Sequence, residues 1–572
     1  MTKVIVTACL FVLFLFAGLT AQNPDNWSTT WKVGAMPFYT TTNGSEMHVV
    51  KAGFDTDQDG WGEFIASYCD MDSNFVLMYE ATANDTYELV WYWKYPIPAN
   101  SYNGIAVGDM DGSGVVDLIF TQSSIADATN PTPPRVWAFE WNGVVGENKY
   151  GDYSSGKCAP HSEWNFDIAE NLDVRPFSLT IEDIDNDGTN ELIVGVRQGD
   201  RGREVLVASV AGTFASGFVS WIVEYNLQGL SGGSQYSVTT GDLDHDGNRE
   251  IHAFLWDLFT LRFIECTGDQ QYTLAAELVQ VTPDYDHGAY DGLAVADANN
   301  DGTNELYIAS TGVSGDPRQL VYIMTGITDV STITAADVQI LYRIPTYGGG
   351  NLRNLVIADP DHDGNIDLMM TGKTAGQVYD MEYKGTGDPA DSTSWDMKVI
   401  FDIYAECAND LGISVDSALS ILSPNINYGY PAGDMDKDGK DEYVLVNYSS
   451  DFGAWPNDGT IWIVENGIAS SVRFDGNAIP KKIVLGQNYP NPFNPTTRFS
   501  YALQRSGNVS VVIYDLLGKK VRTLVDSYQT AGSYSAEWDG FTDTGVEAAS
   551  GTYIYKLKTN ETEISKKMNL IR

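Results

Sequence analysis

Acidic residues recur in this chain at a spacing that suits the binding of a divalent cation. The stretch 183–192 has aspartate at its first, third and fifth places, glycine at the sixth and glutamate at the ninth. Related stretches begin at Asp55, Asp109, Asp242, Asp297, Asp359 and Asp434. We call the seven stretches loops 1 to 7 in chain order. A catalytic centre is usually single, so a motif that recurs in this way predicts cation sites of the scaffold.

Calcium is the ion that this spacing favours. It takes six to eight oxygen ligands in a flexible cage, whereas magnesium requires a tighter octahedron and keeps its waters. In a tight loop alternate side chains point inward, so places one, three and five converge. Glycine at place six allows the sharp turn, the carbonyl of place seven faces the ion, and the acid at place nine returns from the next strand. We therefore predict up to seven structural Ca²⁺ ions.

The predicted ligands are the side chains at places one, three, five and nine of each loop. They are Asp55, Asp57, Asp59 and Glu63; Asp109, Asp111, Ser113 and Asp117; Asp183, Asp185, Asp187 and Glu191; Asp242, Asp244, Asp246 and Glu250; Asp297, Asn299, Asp301 and Glu305; Asp359, Asp361, Asp363 and Asp367; and Asp434, Asp436, Asp438 and Glu442. Loops 2 and 5 each have one neutral ligand, Ser113 and Asn299. We expect these two loops to bind calcium most weakly.

An EF-hand is the obvious alternative for such acidic loops. That motif needs a bidentate acid at place twelve and a helix on each side. Place twelve is Ala66 in loop 1 and Val194 in loop 3, and the flanking sequences are typical of strands. The EF-hand is therefore excluded.

Charge and composition limit the possible partners. The 572 residues carry a net charge of −43, which repels nucleic acid and anionic lipid. Hydrophobic residues make up 43% of the chain, enough for a folded protein. The predicted ligand places contain 26 carboxylates, about a third of the 77 Asp and Glu. Much of the negative charge is therefore explained by cation sites.

Between the loops, the sequence predicts short strands. The first unit has β-like runs at 47–54, 63–68, 75–81 and 87–95, rich in the aromatic and branched residues that strands favour. The loops start 54 to 75 residues apart, which suits a four-stranded sheet with variable outer connections. We predict an all-β fold with a seven-bladed β-propeller over residues 22–476, whose last blade is completed by a strand near Trp31.

The two ends of the chain differ from this pattern. Residues 1–21 have one cationic residue, a short apolar run and a small-residue end, which predicts a secretory signal peptide and no transmembrane span in the mature chain. A Pro/Asn-rich linker is predicted over 477–491. Residues 492–572 then alternate short β-like segments with turns, which predicts a small Ig-like β-sandwich. Cys69, Cys158, Cys266 and Cys407 could form disulfides after export or remain isolated thiols.

The sequence contains little that favours an enzyme. The six histidines form no metal-ligand pair, and the G-x-S-x-G elbow of serine hydrolases is not found. Carboxylates are plentiful, so a glycosidase pair stays open. Trp91, Trp93, Trp137, Trp141 and Trp164 could stack on sugar rings or pack between blades.

The repeated unit resembles the FG-GAP/VCBS repeat family over about residues 27–474. The resemblance rests on the string Asp-x-Asp-x-Asp-Gly-x-x-Asp/Glu after an apolar strand, as at 107–109 and 240–242. Integrin α-subunit heads belong to that group. The resemblance implies a seven-bladed β-propeller with calcium between the first two strands of each blade. It says little about the ligand.

The C-terminal segment contains the strings YPNPFNP at 489–495, YDLLG at 514–518, WDG at 538–540, SGTY at 550–553 and KKM at 566–568. In these strings it is similar to the type A sorting domain of the type IX secretion system. The resemblance implies recognition by the secretion machinery, export across the outer membrane, and release or attachment at the cell surface.

These observations predict an exported calcium-binding propeller that is monomeric and acts as a recognition or adhesion module for glycan or protein. The alternative is a calcium-dependent polysaccharide lyase or glycoside hydrolase built on the propeller, since some polysaccharide lyases use related propellers. Binding without turnover would distinguish the first from the second.

Overall fold

A computed structural model describes most of the chain. The described residues are 27–33, 46–69, 74–99, 103–166, 172–200, 202–230, 235–255, 259–279, 281, 288–310, 319–344, 352–373, 375–423, 426–447, 455, 461–467, 472–474, 483–488, 491–493, 495–503, 507–529, 532–559 and 562–571. The predicted signal peptide at 1–21 and most of the predicted linker at 477–491 lie outside them.

The first strand, β1 (Trp27–Lys32), is followed by four antiparallel sheets of four strands each. Sheet 1 contains β2 (Glu46–Phe54), β3 (Glu63–Cys69), β4 (Asn74–Ala83) and β5 (Thr86–Lys94). Sheet 2 contains β6 (Ile105–Gly108), β7 (Asp117–Thr121), β8 (Val136–Glu140) and β9 (Ser162–Trp164). Sheet 3 contains β10 (Val174–Glu182), β11 (Glu191–Gly199), β12 (Arg203–Thr213) and β13 (Phe218–Leu230). Sheet 4 contains β14 (Gln235–Gly241), β15 (Arg249–Leu255), β16 (Thr260–Cys266) and β17 (Tyr272–Leu278).

An eight-stranded sheet comes next and consists of two antiparallel halves. Sheet 5 contains β18 (Gly288–Ala296), β19 (Glu305–Ser310), β20 (Gln319–Met324) and β21 (Gln339–Ile344). Sheet 6 contains β22 (Leu352–Ala358), β23 (Asp367–Gly372), β24 (Gln377–Tyr383) and β25 (Trp395–Asp402). The halves are joined by the parallel pairing of Asp291 with Asn354. Short 3-10 helices span Val330–Thr332, Ala335–Asp337 and Ser392–Ser394.

Two α-helices interrupt the predicted succession of strands. They are α1 (Ile403–Leu411) and α2 (Val415–Ile421). The side chain of Asp402 caps α1 by accepting hydrogen bonds from the amides of Tyr404 and Ala405, and Gly412 ends it at a φ of 63°. The helices lie between loops 6 and 7, which are separated by the longest of the intervals between loops. Part of this longest interval is therefore helical.

We call sheets 1 to 7 together the sheet array. Sheet 7 combines strands from the beginning and the end of the array's sequence. It contains β26 (Ile426–Gly433), β27 (Glu442–Asn447) and β28 (Ile461–Asn466). Its fourth strand is β1, which pairs antiparallel with β28 so that Trp27 lies opposite Asn466. The prediction that a strand near Trp31 completes the last sheet is confirmed.

The inner strands of the array are buried on both faces. Every residue of β7, β19, β20, β23, β27 and β28 is buried. This burial explains why these strands have continuous apolar runs and no alternation in sequence. No disulfide involves Cys158, Cys266 or Cys407. In the described part of the chain, no helix is long and apolar enough to cross a membrane.

The C-terminal domain consists of two four-stranded sheets. One contains β29 (Val472–Phe474), β30 (Val484–Leu485), β31 (Thr497–Leu503) and β34 (Gly532–Trp538), and the other contains β32 (Gly507–Asp515), β33 (Lys520–Gln529), β35 (Gly551–Lys558) and β36 (Glu563–Leu570). Buried and more exposed residues alternate along β31 and β35, as expected for strands with one face on a core. Two strands, β29 and β30, precede the predicted domain start at residue 492.

Candidate metal centres

Every acidic loop connects the first strand of a sheet to the second. Loop 1 follows Phe54 at the end of β2, and Glu63 at place nine is the first residue of β3. The place-nine acid begins the second strand in the same way in every sheet except sheet 4, where Glu250 is the second residue of β15. The fold therefore brings places one and nine of each loop to the same end of two paired strands.

The loops share one backbone conformation. At place six, all seven glycines have φ between 87 and 93°. At place four the backbone is also left-handed, with φ of 57 to 69°, although this place holds Gln58, Gly112, Asn186, His245, Asn300, His362 or Lys437. Only the glycine and asparagines favour this conformation, so place four carries no clear signal in the sequence.

In most loops, hydrogen bonds fix one oxygen of the place-one carboxylate and one of the place-nine carboxylate. In loop 1 the place-nine oxygen Glu63 Oε2 accepts from the amide of Thr56 at 2.8 Å, and Asp55 Oδ2 accepts from Gly60 at 3.0 Å. The first contact recurs in loops 2, 3, 4, 5 and 7. The second recurs in loops 2, 3, 5, 6 and 7. The remaining oxygens are thereby directed towards a common point.

Several of those remaining oxygens are buried and have no hydrogen-bond partner. They are Asp55 Oδ1 and Glu63 Oε1 in loop 1, Asp242 Oδ1 and Glu250 Oε1 in loop 4, and Asp434 Oδ1 and Glu442 Oε1 in loop 7. One oxygen from each of the four predicted ligands lies within 4.8 Å of the others in loops 4 and 7, as do those of Asp55, Asp57 and Glu63 in loop 1. Buried, unpaired carboxylate oxygens that converge are suited to a hard cation.

Burial also makes these carboxylates costly to ionise without a counter-charge. It raises the pKa of Asp55 and of Asp434 to about 6, that of Glu250 to about 8 and that of Glu191 to about 9. Repulsion from neighbouring carboxylates adds to the effect of burial in each case. A divalent cation would remove this cost, so the residues present fit calcium.

Loops 2 and 5 differ in detail, at the two places where the sequence has a neutral side chain. Ser113 Oγ accepts from the amide of Val115 at 3.2 Å, as one place-five carboxylate oxygen does in the other six loops, but serine has no second oxygen to offer. Asn299 Nδ2 donates to Asp301 Oδ2 at 2.9 Å, so the amide occupies an oxygen of the adjacent predicted ligand. These contacts agree in direction with the expectation of weaker binding, which stays a prediction.

Loop 6 has an additional acid that the sequence did not indicate. Asp380 on β24 and the place-nine residue Asp367 are each 2% exposed, and their carboxyl groups are hydrogen-bonded to each other. Burial raises the pKa of both carboxyl groups. The pairing is possible because Asp380 lies opposite Met369, two residues along β23 from Asp367.

A glutamate on the third strand lies directly opposite the place-nine acid in five sheets. These pairs are Glu80 with Glu63, Glu140 with Asp117, Glu265 with Glu250, Glu382 with Asp367, and Glu465 with Glu442. Several already have donors from the chain: Asn148 Nδ2 donates to Glu80 at 2.8 Å, and Lys440 forms an ion pair with Glu465. The distance in sequence between paired acids varies with hairpin length, so no fixed spacing marks them.

The place-three carboxylate connects neighbouring sheets. In loops 2, 3, 4 and 7 its second oxygen accepts a backbone hydrogen bond from the next sheet, which we call the inter-sheet clamp. The donors are Phe214 to Asp111 at 2.6 Å, Gln270 to Asp185 at 2.9 Å, Val330 to Asp244 at 2.8 Å, and Asp85 to Asp436 at 2.6 Å. The last of these links sheet 7 to sheet 1. Each such loop therefore couples its predicted ion to the contact between two sheets.

The aromatic residues divide into buried and accessible groups. Trp91, Trp137 and Trp141 are at most 5% exposed and belong to the core shared by sheets 1 and 2, so the sugar-stacking interpretation is wrong for them. Trp164 stacks on Trp221 with ring centroids 4.6 Å apart, and Phe218 on the same strand as Trp221 is 84% exposed. Phe218 and Trp221 are three residues apart on β13, so their side chains lie on opposite faces of sheet 3, and Trp164 and Trp221 pack against a core.

Comparisons with known proteins match the C-terminal domain to a family and a larger part of the chain to solved structures. Residues 491–563 match the family described as FlgD Ig-like domain. None of the curated proteins matches the chain. Two solved structures of a humanized mutant of the Chaetomium thermophilum Polycomb Repressive Complex 2, each bound to an inhibitor, have chains with 10% identity to this one. They cover 78% of this chain and 98% of their own, with TM-scores of 0.41 and 0.40.

Proposed function

We propose that this chain is an exported, calcium-stabilised β-propeller that recognises a glycan or a protein outside the cell. The observation that carries the calcium part is the set of buried, unpaired carboxylate oxygens that converge in loops 1, 4 and 7. All seven loops share the left-handed place-four and place-six backbone. Up to seven Ca²⁺ ions are expected, with structural roles, because the sites recur once per sheet.

The propeller arrangement is supported by the way in which the sheets meet. Counting the halves of the eight-stranded sheet separately gives seven sheets of four strands in the described part of the array. Strand β1 pairs with β28 in sheet 7, and the inter-sheet clamp from Asp436 reaches Asp85 in sheet 1. Contacts between the first and last sheets are those that a closed ring of blades requires, and they agree with the resemblance to FG-GAP/VCBS repeats.

The calcium proposal is tested by counting ions. Protein equilibrated with calcium and passed through a desalting column should retain several Ca²⁺ per chain by elemental analysis. Glu250→Gln, which neutralises a fully buried place-nine ligand, should retain one ion fewer. The matched control is Glu88→Gln, at an exposed position of β5. Protein that retains no calcium, or that retains magnesium equally well, would contradict the proposal.

The C-terminal domain is proposed to be a type IX sorting signal. This proposal rests on the sequence motifs at 489–495 and 566–568 and on the two four-stranded sheets that the described residues of the C-terminal domain form. Deletion of residues 485–572 should leave a folded array that accumulates in the periplasm, measured by cell fractionation. Normal surface display of the truncated protein would refute the assignment.

Phe218, exposed on the edge strand β13 of sheet 3, is the residue that we propose for glycan contact. Flat, accessible rings stack on the apolar faces of sugars, and a single aromatic contact contributes roughly 1 kcal/mol, about fivefold in Kd. Phe218→Ala should therefore weaken binding to a glycan identified on an array by about this factor. Leu517→Ala is the matched control, because Leu517 is 94% exposed on the C-terminal domain.

The same glycan-array experiment distinguishes recognition from catalysis. Product release is measured in parallel with binding, with purified full-length protein and calcium present. Binding without release of shorter sugars supports a recognition module. Calcium-dependent release would support the alternative of a polysaccharide lyase or hydrolase.

A further inference from the structure

A large cavity runs between the first strands of the sheets. Its volume is about 1480 Å³. Residues of β2, β6, β10, β14, β18, β22 and β26 all line it, and so do the place-one aspartates of loops 2 to 7. The cavity is therefore a channel along the axis around which the sheets lie, and the acidic loops surround one of its ends.

The end of the channel away from the loops is narrow on the side formed by sheets 1, 2, 3 and 7. Phe177 and Tyr428 face each other there, with ring centroids 6.1 Å apart. Together with Val49 and Ile105 they leave a void of only about 10 Å³. Among the described residues of sheets 1, 2, 3 and 7, a solute therefore has little room to enter the channel at the end away from the loops.

The loop end of the channel is covered by the C-terminal domain. Asn508 and Ser510 of β32, Gln529 of β33, Tyr534 of β34 and Lys558 of β35 complete the lining of the cavity. These residues lie at one end of the β-sandwich. Asn508 Nδ2 donates a hydrogen bond to the carbonyl oxygen of Asp297, which is place one of loop 5, at 3.1 Å.

The two surfaces differ in charge. Residues 483–572 have ten Lys and Arg and eight Asp and Glu, a balance of +2, which leaves −45 for residues 1–482. The array side of the channel has eight acids in its lining, including Glu182 and Asp441, and only Lys51 and Arg249 as opposing Lys or Arg. The lining residue Lys558 of the C-terminal domain faces this acidic end. Opposite charge favours contact between the two parts, and salt weakens such contacts.

We propose that the C-terminal domain is a lid on the loop end of the channel, attracted there by charge, and that the channel admits solutes when the lid moves away. The core of the C-terminal domain, around Trp538 and Tyr555, consists of the domain's own residues, although Val509 and Tyr534 of that core also line the channel. The domain therefore does not need its contact with the array in order to fold, and the contact can open and close. The proposal depends neither on calcium nor on the identity of a ligand.

A cysteine placed inside the channel can report its accessibility in the full-length protein. Thr239 on β14 lines the cavity, so Thr239→Cys is the probe. Labelling by a fluorescent maleimide is followed at residue 239 by peptide mass spectrometry, which separates it from the native cysteines. Thr82→Cys, at an exposed position of β4, gives the rate for an open surface.

The contact between the C-terminal domain and the array is then weakened by one isosteric substitution. Asn508→Asp removes the donor to Asp297 and adds a negative charge beside an acidic surface. The matched control is Asn569→Asp, the same chemical change on β36, where Asn569 pairs with Thr552 in the other part of the sandwich sheet. Near-ultraviolet circular dichroism of each variant verifies that the sandwich remains folded.

The expected result is slow labelling of the probe behind the natural lid and labelling about tenfold faster with Asn508→Asp, the factor for losing one hydrogen bond. Asn569→Asp should leave the rate unchanged. With the natural lid, the rate should rise as salt increases from about 50 to about 500 mM. Labelling of the probe as fast as that of the Thr82→Cys protein, or a rate that neither Asn508→Asp nor salt changes, would overturn the proposal. If Asn508→Asp does not fold, the salt series alone decides.

Discussion

The sheet array and the C-terminal domain are both built from antiparallel strands, yet different interactions stabilise them. Residues 1–482 have 69 of the 77 acidic residues, and seven loops in which carboxylates are brought together. The C-terminal domain is nearly neutral and has a core that contains Trp538, Tyr555 and Leu557, all fully buried. The difference teaches that strand content alone does not reveal what a β fold depends on: the first part is expected to need a cation, whereas the second needs only its apolar core.

Removal of calcium should give the largest difference in stability between the sheet array and the C-terminal domain. With an ion at a thousand times its Kd, each site contributes about 4 kcal/mol that is lost when the ion is removed. EDTA should therefore lower the array's melting temperature by more than about 10 °C and leave the transition of the C-terminal domain in place. Differential scanning calorimetry of the full chain measures both. Two transitions that move together, or a melting curve unchanged in EDTA, would contradict the inference that the array depends on calcium and the C-terminal domain does not.

The reciprocal change acts on the C-terminal core. Trp538 is fully buried, and its Nε1 donates to the carbonyl oxygen of Phe541 at 2.8 Å. Trp538→Ala should destabilise this domain by about 3–5 kcal/mol, the usual cost of emptying such a site. The calcium-dependent transition should not move. Leu517→Ala is the control, because an exposed substitution usually changes stability by less than about 0.5 kcal/mol.

The pH dependence of the array should reverse with calcium. Without the ion, burial raises the pKa of Glu250 to about 8 and that of Asp434 to about 6, above their unfolded values. The folded state then binds more protons, so stability should increase as pH falls from about 8 towards 6, by about 1 kcal/mol or more for the buried Glu250. With calcium bound the carboxylates are ionised, and acid should destabilise the array. Melting curves in EDTA and in calcium, across this range, test the sign.

The smallest expected effect compares loops within the array. Asn299→Asp in loop 5 replaces the neutral ligand with the carboxylate found at the same place in the other six loops. One added charge should tighten calcium binding at this loop by about tenfold, or roughly 1.4 kcal/mol. Calorimetric titration of the variant against the natural protein measures the change. A weaker site in the variant would show that loop 5 is adapted to its asparagine.

Local features of the fold could be predicted well from the sequence. The strands predicted at 63–68 and 75–81 lie within a few residues of β3 and β4, because apolar runs are separated by turn residues there. Places one and nine of each loop are predicted to converge, and the structure places them at paired strand ends. The helices α1 and α2 are missed, since 403–421 has no strong helix pattern and depends on a cap at Asp402.

Features that depend on contacts between strands and sheets could not be predicted. Asp380 gives no signal as a partner of Asp367, because their pairing follows from the register of β23 and β24. The inter-sheet clamp joins Asp185 to Gln270, and these residues are related only through the packing of sheets 3 and 4. The burial of Trp91 likewise reflects two sheets meeting, which composition cannot distinguish from an exposed aromatic surface.

The pairing of β1 with β28 affects the order in which the chain can fold. Trp27 lies opposite Asn466, so sheet 7 remains incomplete until almost the whole array has been synthesised. Contacts between such distant residues require a large loss of chain entropy before they form, and they slow folding. Earlier sheets can form as they emerge, but the final strand pair must wait. We therefore expect late completion of the array, with the edge of β28 exposed to association in the meantime.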